Sequence, residues 1–92
     1  MNLTIRSYKE IAKSNNHVLF GRKVRALRKK KKLTQIDLCA KMVIDHQSGS
    51  TMDVSVLSRI ERGIANITLD KVFLLSKTLE VTPKELLNFR VK

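Results

Sequence analysis

Cysteine occurs once, at Cys39, proline once, at Pro83, glycine three times, and tryptophan not at all. A lone cysteine excludes an intramolecular disulfide framework and any zinc site built from cysteines alone. So little proline and glycine disfavours a β architecture with many tight turns. Aromatic residues amount to 4%, too few to supply stacking platforms for unpaired bases, which weighs against RNA binding. No apolar run approaches the roughly 18 residues of a membrane-spanning helix, and residues 1–18 lack the continuous apolar stretch of a signal peptide. The expected compartment is therefore the cytoplasm. Acidic residues are scarce as well: eight face nineteen Lys and Arg, for a net charge of +11. That imbalance calls for a polyanionic partner. A membrane-surface helix would need bulky apolar residues facing lipid, and the core requires those present, so no membrane partner is expected.

What is there is enough for one small domain of 92 residues, 42% of them hydrophobic. The charge is concentrated in the first third. Arg6, Lys9, Lys13, Arg22, Lys23, Arg25, Arg28 and the run Lys29 to Lys32 are opposed there by Glu10 alone. The four lysines suit the C-terminal end of a helix, where the macrodipole favours cations. Arg22, Lys23 and Arg25 lie a turn or more earlier, which assigns them an electrostatic role toward phosphates.

Apolar spacing and cap residues predict an all-α chain of five helices. From Leu19 onward Phe20, Val24 and Leu27 form one stripe of a first helix. Thr34 with Asp37 reads as a capping box that opens a second helix with Leu38, Cys39 and Met42 inward. Residues 43–53, rich in Ser, Gly, Asp and Thr, read as a loop. Asp53 caps a short third helix that buries Leu57 and Ile60 and stops at Gly63. Thr68 caps a fourth, with Leu69, Val72, Leu75 and Leu79 on the buried face, and Leu74, Leu75 and Phe73 read as ordinary core. Thr82, Pro83 and Glu85 start a fifth. Residues 1–18 precede the 19–92 domain as an extension. Ile5, Tyr8, Ile11 and Ala12 permit a short extra helix there, ending at the Ser14, Asn15, Asn16 run.

Two short helices joined by a turn, with cations on the helix before them, make the layout of a helix-turn-helix reader. The strings FGRKVRALRKKKKL at 20–33, Thr34 with Gln35, LSRIERG at 57–63 and TLDKVFLLSKTLEVTPKELL at 68–87 resemble the lambda-repressor and Cro-like family, also called the xenobiotic-response-element type. The resemblance covers about residues 19–88. It implies a lambda-repressor-like domain reading double-stranded DNA through the third helix, one α-helix being what a major groove about 12 Å wide admits.

Counting from Leu57 and Ile60, the outward positions of that helix are Val54, Ser55, Ser58, Arg59 and Arg62. Arg59 suits a bidentate contact to guanine, or else a phosphate contact or surface ion pair. Ser55 can donate or accept, and Val54, or Val56 if the helix rolls, can touch a thymine methyl. The resemblance places base contacts at Val54, Ser55 and Arg59. Gln35, directly after a helix cap, suits a phosphate, as the resemblance also implies, and Asn66 lies where such families hold the next one. Arg22, Lys23 and Arg62 complete the expected phosphate contacts. The resemblance further pairs Arg28 with Glu61 as a structural ion pair.

Departures from the family are also legible. Its turn between second and third helices takes about three or four residues, whereas residues 43–52 form an enlarged connection here. Either the second helix runs past Val43 or the loop protrudes. Ile36 and Val43 suggest extra packing beneath that loop. Lys32 stands where glycine often closes the first helix, which implies a positive φ at a cost of about 1 kcal/mol. Cys39 reads as buried packing. His17, His46, Asp45 and Asp53 lack metal-ligand spacing, and Ser48, Gly49 and Ser50 lack a nucleophile elbow, so no metal, no cofactor and no enzymatic activity are expected.

The leading expectation is a sequence-specific DNA-binding transcriptional regulator, a repressor or autoregulator, binding an inverted repeat as a homodimer. Leu87, Phe89 and Val91 are the candidate dimer contacts, unless Phe89 closes its own bundle. Such proteins resemble phage repressors and the controller proteins of restriction-modification systems. The alternative is an antitoxin-like module that also binds DNA and takes a protein partner through the extension or the 43–53 loop.

Overall fold

A computed structural model describes residues 12–45 and 51–89. These form five helices and no strand: α1 (Asn15–Lys30), α2 (Gln35–Asp45), α3 (Val54–Glu61), α4 (Leu69–Thr78) and α5 (Pro83–Leu86). They enclose one core, in which Val24, Leu38, Met42, Leu57, Ile60, Leu75, Leu79 and Leu86 are fully buried. α1 packs mainly across α3, α4 bridges α2 and α5, and α2 lies beside α3.

The caps form where local chemistry demands them. Thr34 Oγ1 accepts from Asp37 N at 3.0 Å, and Asp37 Oδ2 accepts from Thr34 N at 3.0 Å, a reciprocal box with aspartate in the glutamate position. Asp53, Thr68 and Thr82 cap α3, α4 and α5. Gly63 takes φ 77° after α3, and Lys32 takes φ 60° after α1, as its place at a helix end requires. Glu80 does the same after α4 with φ 62°, without a glycine to announce it.

Several expectations are corrected. The first helix begins at Asn15, not near Leu19: the Ser14, Asn15, Asn16 run opens a helix instead of closing one, with Ser14 Oγ accepting from His17 N at 3.2 Å. The dividing line at 18/19 thus falls inside α1, and Lys13 N donates to Gly63 O at 2.9 Å, which ties the preceding chain to the end of α3. Of the extra helix expected to end at the Ser14, Asn15, Asn16 run, residues up to Ile11 lie outside the described part, and Ala12, Lys13 and Ser14 are not helical. The second helix runs on to Asp45, which settles the alternative at Val43, and Met52, expected in a loop, is buried in the core. Residues 46–50 lie outside the described part. Ile36 and Val43 do not pack inward: they are 68% and 62% exposed, because Leu38 and Met42 turn the opposite side of α2 to the core. Leu69 and Phe73 likewise face out at 67% and 49% exposure, one turn apart, while Val72, Leu75 and Leu79 supply the buried stripe.

The α1 and α3 backbones touch at Gly21, where an added Cβ would lie 2.3 Å from the Ile60 carbonyl oxygen. Only a residue without a side chain permits that crossing.

Candidate nucleic-acid interface

The site grows from one buried ion pair. Arg28 Nε donates to Glu61 Oε2 at 2.7 Å and Nη2 to Glu61 Oε1 at 2.9 Å, a two-pronged contact that joins α1 to the last residue of α3. Both side chains are almost wholly buried. Arg28 Nη1 also donates to the Leu33 carbonyl at 2.8 Å, and Gln35 Nε2 donates to Glu61 Oε1 at 3.1 Å. One node therefore fixes the end of α3, the turn after α1 and the start of α2. The hydrogen bonds from Arg28 to Glu61 raise the guanidinium pKa above its ordinary value. Its charge is constant at any ordinary pH.

That node holds α3 with one side outward. Ser55, Arg59 and Arg62 are exposed, Val54 and Ser58 are half-buried, and Leu57 and Ile60 anchor the opposite side. Val54 and Val56 pack partly on the core, so Val54 offers only an edge outward. Asp53 Oδ1 accepts from Val56 N at 2.9 Å and from Ser55 Oγ at 2.8 Å. Those bonds, the Val56 amide first, hold the Asp53 carboxyl below its usual range, and Arg59 adds a smaller pull.

Beside α3 runs a cleft of about 520 Å³ bordered by Lys29, Lys32, Thr34, Gln35, Ile36 and Val54. The first turns of α2 and α3 both border it, and Lys29 and Lys32 put cations on its rim. A helix-start dipole and two lysines are groups that suit a phosphate.

The remaining expected contacts are distributed differently. Gln35 borders the cleft, but its amide nitrogen is committed in part to Glu61. Arg22 and Asn66 are exposed. Arg62 Nε donates to the Ser58 carbonyl at 3.3 Å. Lys23 is drawn to Glu85 on α5 at 3.1 Å, an ion pair absent from the sequence reading because the partner lies 62 residues away. Phe89 packs edge-to-face on Phe20, with centroids 6.5 Å apart, and so closes its own bundle. Leu87 is 47% exposed, and Val91 lies outside the described residues. Lys29 and Lys32, read from sequence as dipole complements, are the cations that the fold brings to the cleft. Their offset from Thr34 was the available signal.

Cys39 is buried, and desolvation pushes its thiol pKa up, as suits a packing residue. Among the described residues no cluster of three His, Cys, Asp or Glu is placed to hold a metal ion, and no helix is long and apolar enough to cross a membrane.

Comparison with known proteins places the same residues in a family. A family described as helix-turn-helix matches residues 24–86. Control protein C.BamHI of Bacillus amyloliquefaciens is 36% identical over 77 residues, 83% of this chain and 85% of that protein. The restriction-modification controller protein C.AhdI from Aeromonas hydrophila shares the fold with a TM-score of 0.68 at 30% identity, over 79% of this chain and 98% of that one. The hypothetical transcription factor NHTF from Neisseria, at 22% identity and a TM-score of 0.65, covers 77% of this chain and 72% of its own, a likeness of fold.

Proposed function

The chain belongs to the helix-turn-helix family of the lambda-repressor and Cro type, and on that premise we propose that it is a DNA-binding transcriptional regulator of the restriction-modification controller kind. α3 enters the major groove. Val54, Ser55 and Arg59 face base edges, while Lys29, Lys32, Gln35, Arg22, Arg62 and Asn66 line the flanking backbone. The observation that carries this reading is the outward side of α3, locked by the Arg28, Glu61 and Gln35 node beside a lysine-rimmed cleft. Lys23, engaged by Glu85, contributes less to phosphate binding than Lys29 or Lys32.

A homodimer on an inverted repeat follows from economy, since one eight-residue helix spans few base pairs. Leu69, Phe73 and Leu87 leave apolar surface on α4 and after α5, and a second copy covers it. Phe89 packs on Phe20 within its own bundle. Enrichment of bound fragments from random duplex DNA, followed by footprinting, tests the function. A twofold-symmetric site with half-sites about one helical turn apart is expected; absence of any enriched duplex contradicts it.

A further inference from the structure

Ser55 stands exposed on the outward side of α3, in its first turn. Its hydroxyl hydrogen is already placed: Oγ donates to Asp53 Oδ1 at 2.8 Å. An ionised carboxylate only accepts, so the direction of that bond is fixed, and a serine has one hydrogen to give. Asp53 is in turn immobilised by accepting from Val56 N at 2.9 Å. What Ser55 turns outward is therefore lone pairs.

Resting on the proposed DNA-binding function, we propose that Ser55 is a specificity-determining acceptor. It takes a hydrogen bond from a major-groove amino group, cytosine N4 or adenine N6, and does not donate to guanine N7 or O6, adenine N7 or thymine O4. Turning the hydroxyl toward such an acceptor would exchange a charge-assisted bond for a neutral one about half as strong, and would remove a donor from the Asp53 carboxylate. Arg59, four residues on, carries the opposite polarity, five donors and no acceptor. At about 1.5 Å rise per residue the two lie some 6 Å apart along α3, or roughly two base-pair steps. The half-site should accordingly hold the amino group read by Ser55 about two steps from the guanine read by Arg59.

The test uses the full chain and a duplex enriched from a random pool. Each base of the half-site is replaced singly by an analogue lacking only its major-groove amino group, or by a 7-deazapurine lacking only the N7 acceptor. Binding is measured for wild type and for Ser55→Ala, with thermal unfolding confirming that the variant is folded. One amino deletion should weaken the wild type about three- to tenfold and leave Ser55→Ala unchanged. Coupling of Ser55 to a 7-deaza position, or to no amino group, overturns the assignment while leaving DNA recognition intact. Failure to enrich any duplex overturns the DNA-binding function itself, and the assignment with it.

Discussion

Arg28 and Glu61, 33 residues apart in the chain, meet in the interior through two hydrogen bonds of 2.7 and 2.9 Å. Everything outward of them takes its orientation from that contact. The guanidinium also reaches the Leu33 carbonyl and the carboxylate also accepts from Gln35, so the helix that faces solvent and the turn beside it are set by the same two charges.

Removing one member strands the other in a dry site. Glu61→Ala is expected to destabilise the fold by about 3 kcal/mol or more, the usual cost of leaving a buried charge unpaired. Glu80 bridges Lys31 at 3.3 Å and Lys41 at 3.6 Å on the exposed surface, where screening leaves such pairs little net worth. Glu80→Ala should therefore barely move the urea midpoint. Equal midpoints for the two variants would contradict the structural role of the pair.

Gly21 offers a second stability test. A methyl at 2.3 Å from the Ile60 carbonyl cannot be accommodated without separating α1 from α3. Gly21→Ala should cost about 1–3 kcal/mol or more in chemical denaturation, despite the better helix propensity of alanine. A neutral or stabilising effect would mean that the two backbones do not approach so closely.

The acidic limb of the stability profile belongs to the helix caps and, on the surface, to Glu80, whose carboxyl the Lys31 hydrogen bond and then the Lys31 and Lys41 charges hold low. Asp53 is held below its usual range by the Val56 amide and then Ser55, and Asp37 by the Thr34 amide and then the Thr34 hydroxyl. A carboxyl with a lowered folded-state pKa binds protons more readily when unfolded, so its stabilisation is complete above the unfolded value near 4. It is lost as pH falls through the folded value. Stability should be level from about pH 5 to 7 and decline below about pH 4. Asp53→Asn and Asp37→Asn should flatten that decline, and denaturation midpoints collected over this range provide the check.

Phosphate and base contacts separate by their salt dependence. Lys32→Ala should weaken binding to specific and random duplexes alike and lower the log–log salt slope by about 0.9. Lys23→Ala should lower it by less, because Glu85 already occupies that ammonium. Arg59→Ala should cost about 1–3 kcal/mol on the specific site and relax preference at one base pair, with little change on random DNA. Similar losses on both substrates for Arg59→Ala would remove its reading role.

The helix starts were legible because caps are local. Thr34, Asp53, Thr68 and Thr82 each bond an amide within three residues, a pattern visible in the string. The start of α1 was not, since Ser14, Asn15 and Asn16 serve equally to end one helix or begin another. Periodicity also failed to choose between apolar stripes on α4: Leu69 and Phe73 obey helical spacing as well as Val72, Leu75 and Leu79 do. The outward placement of Ser55 and Arg59 followed from the buried pair Leu57 and Ile60. The pairing of Arg28 with Glu61 came with the family resemblance, because nothing in a 33-residue separation announces it. Gly21 against Ile60, Lys23 against Glu85 and Gln35 against Glu61 are products of tertiary approach and had no local signature.

Methylation interference at guanine N7 tests whether α3 reads the major groove. On the enriched duplex, modification of one guanine in each half-site should abolish binding by wild type, and Arg59→Ala should be insensitive to that same modification. Interference confined to minor-groove adenine N3, or none at any base, would mean that α3 does not read the major groove.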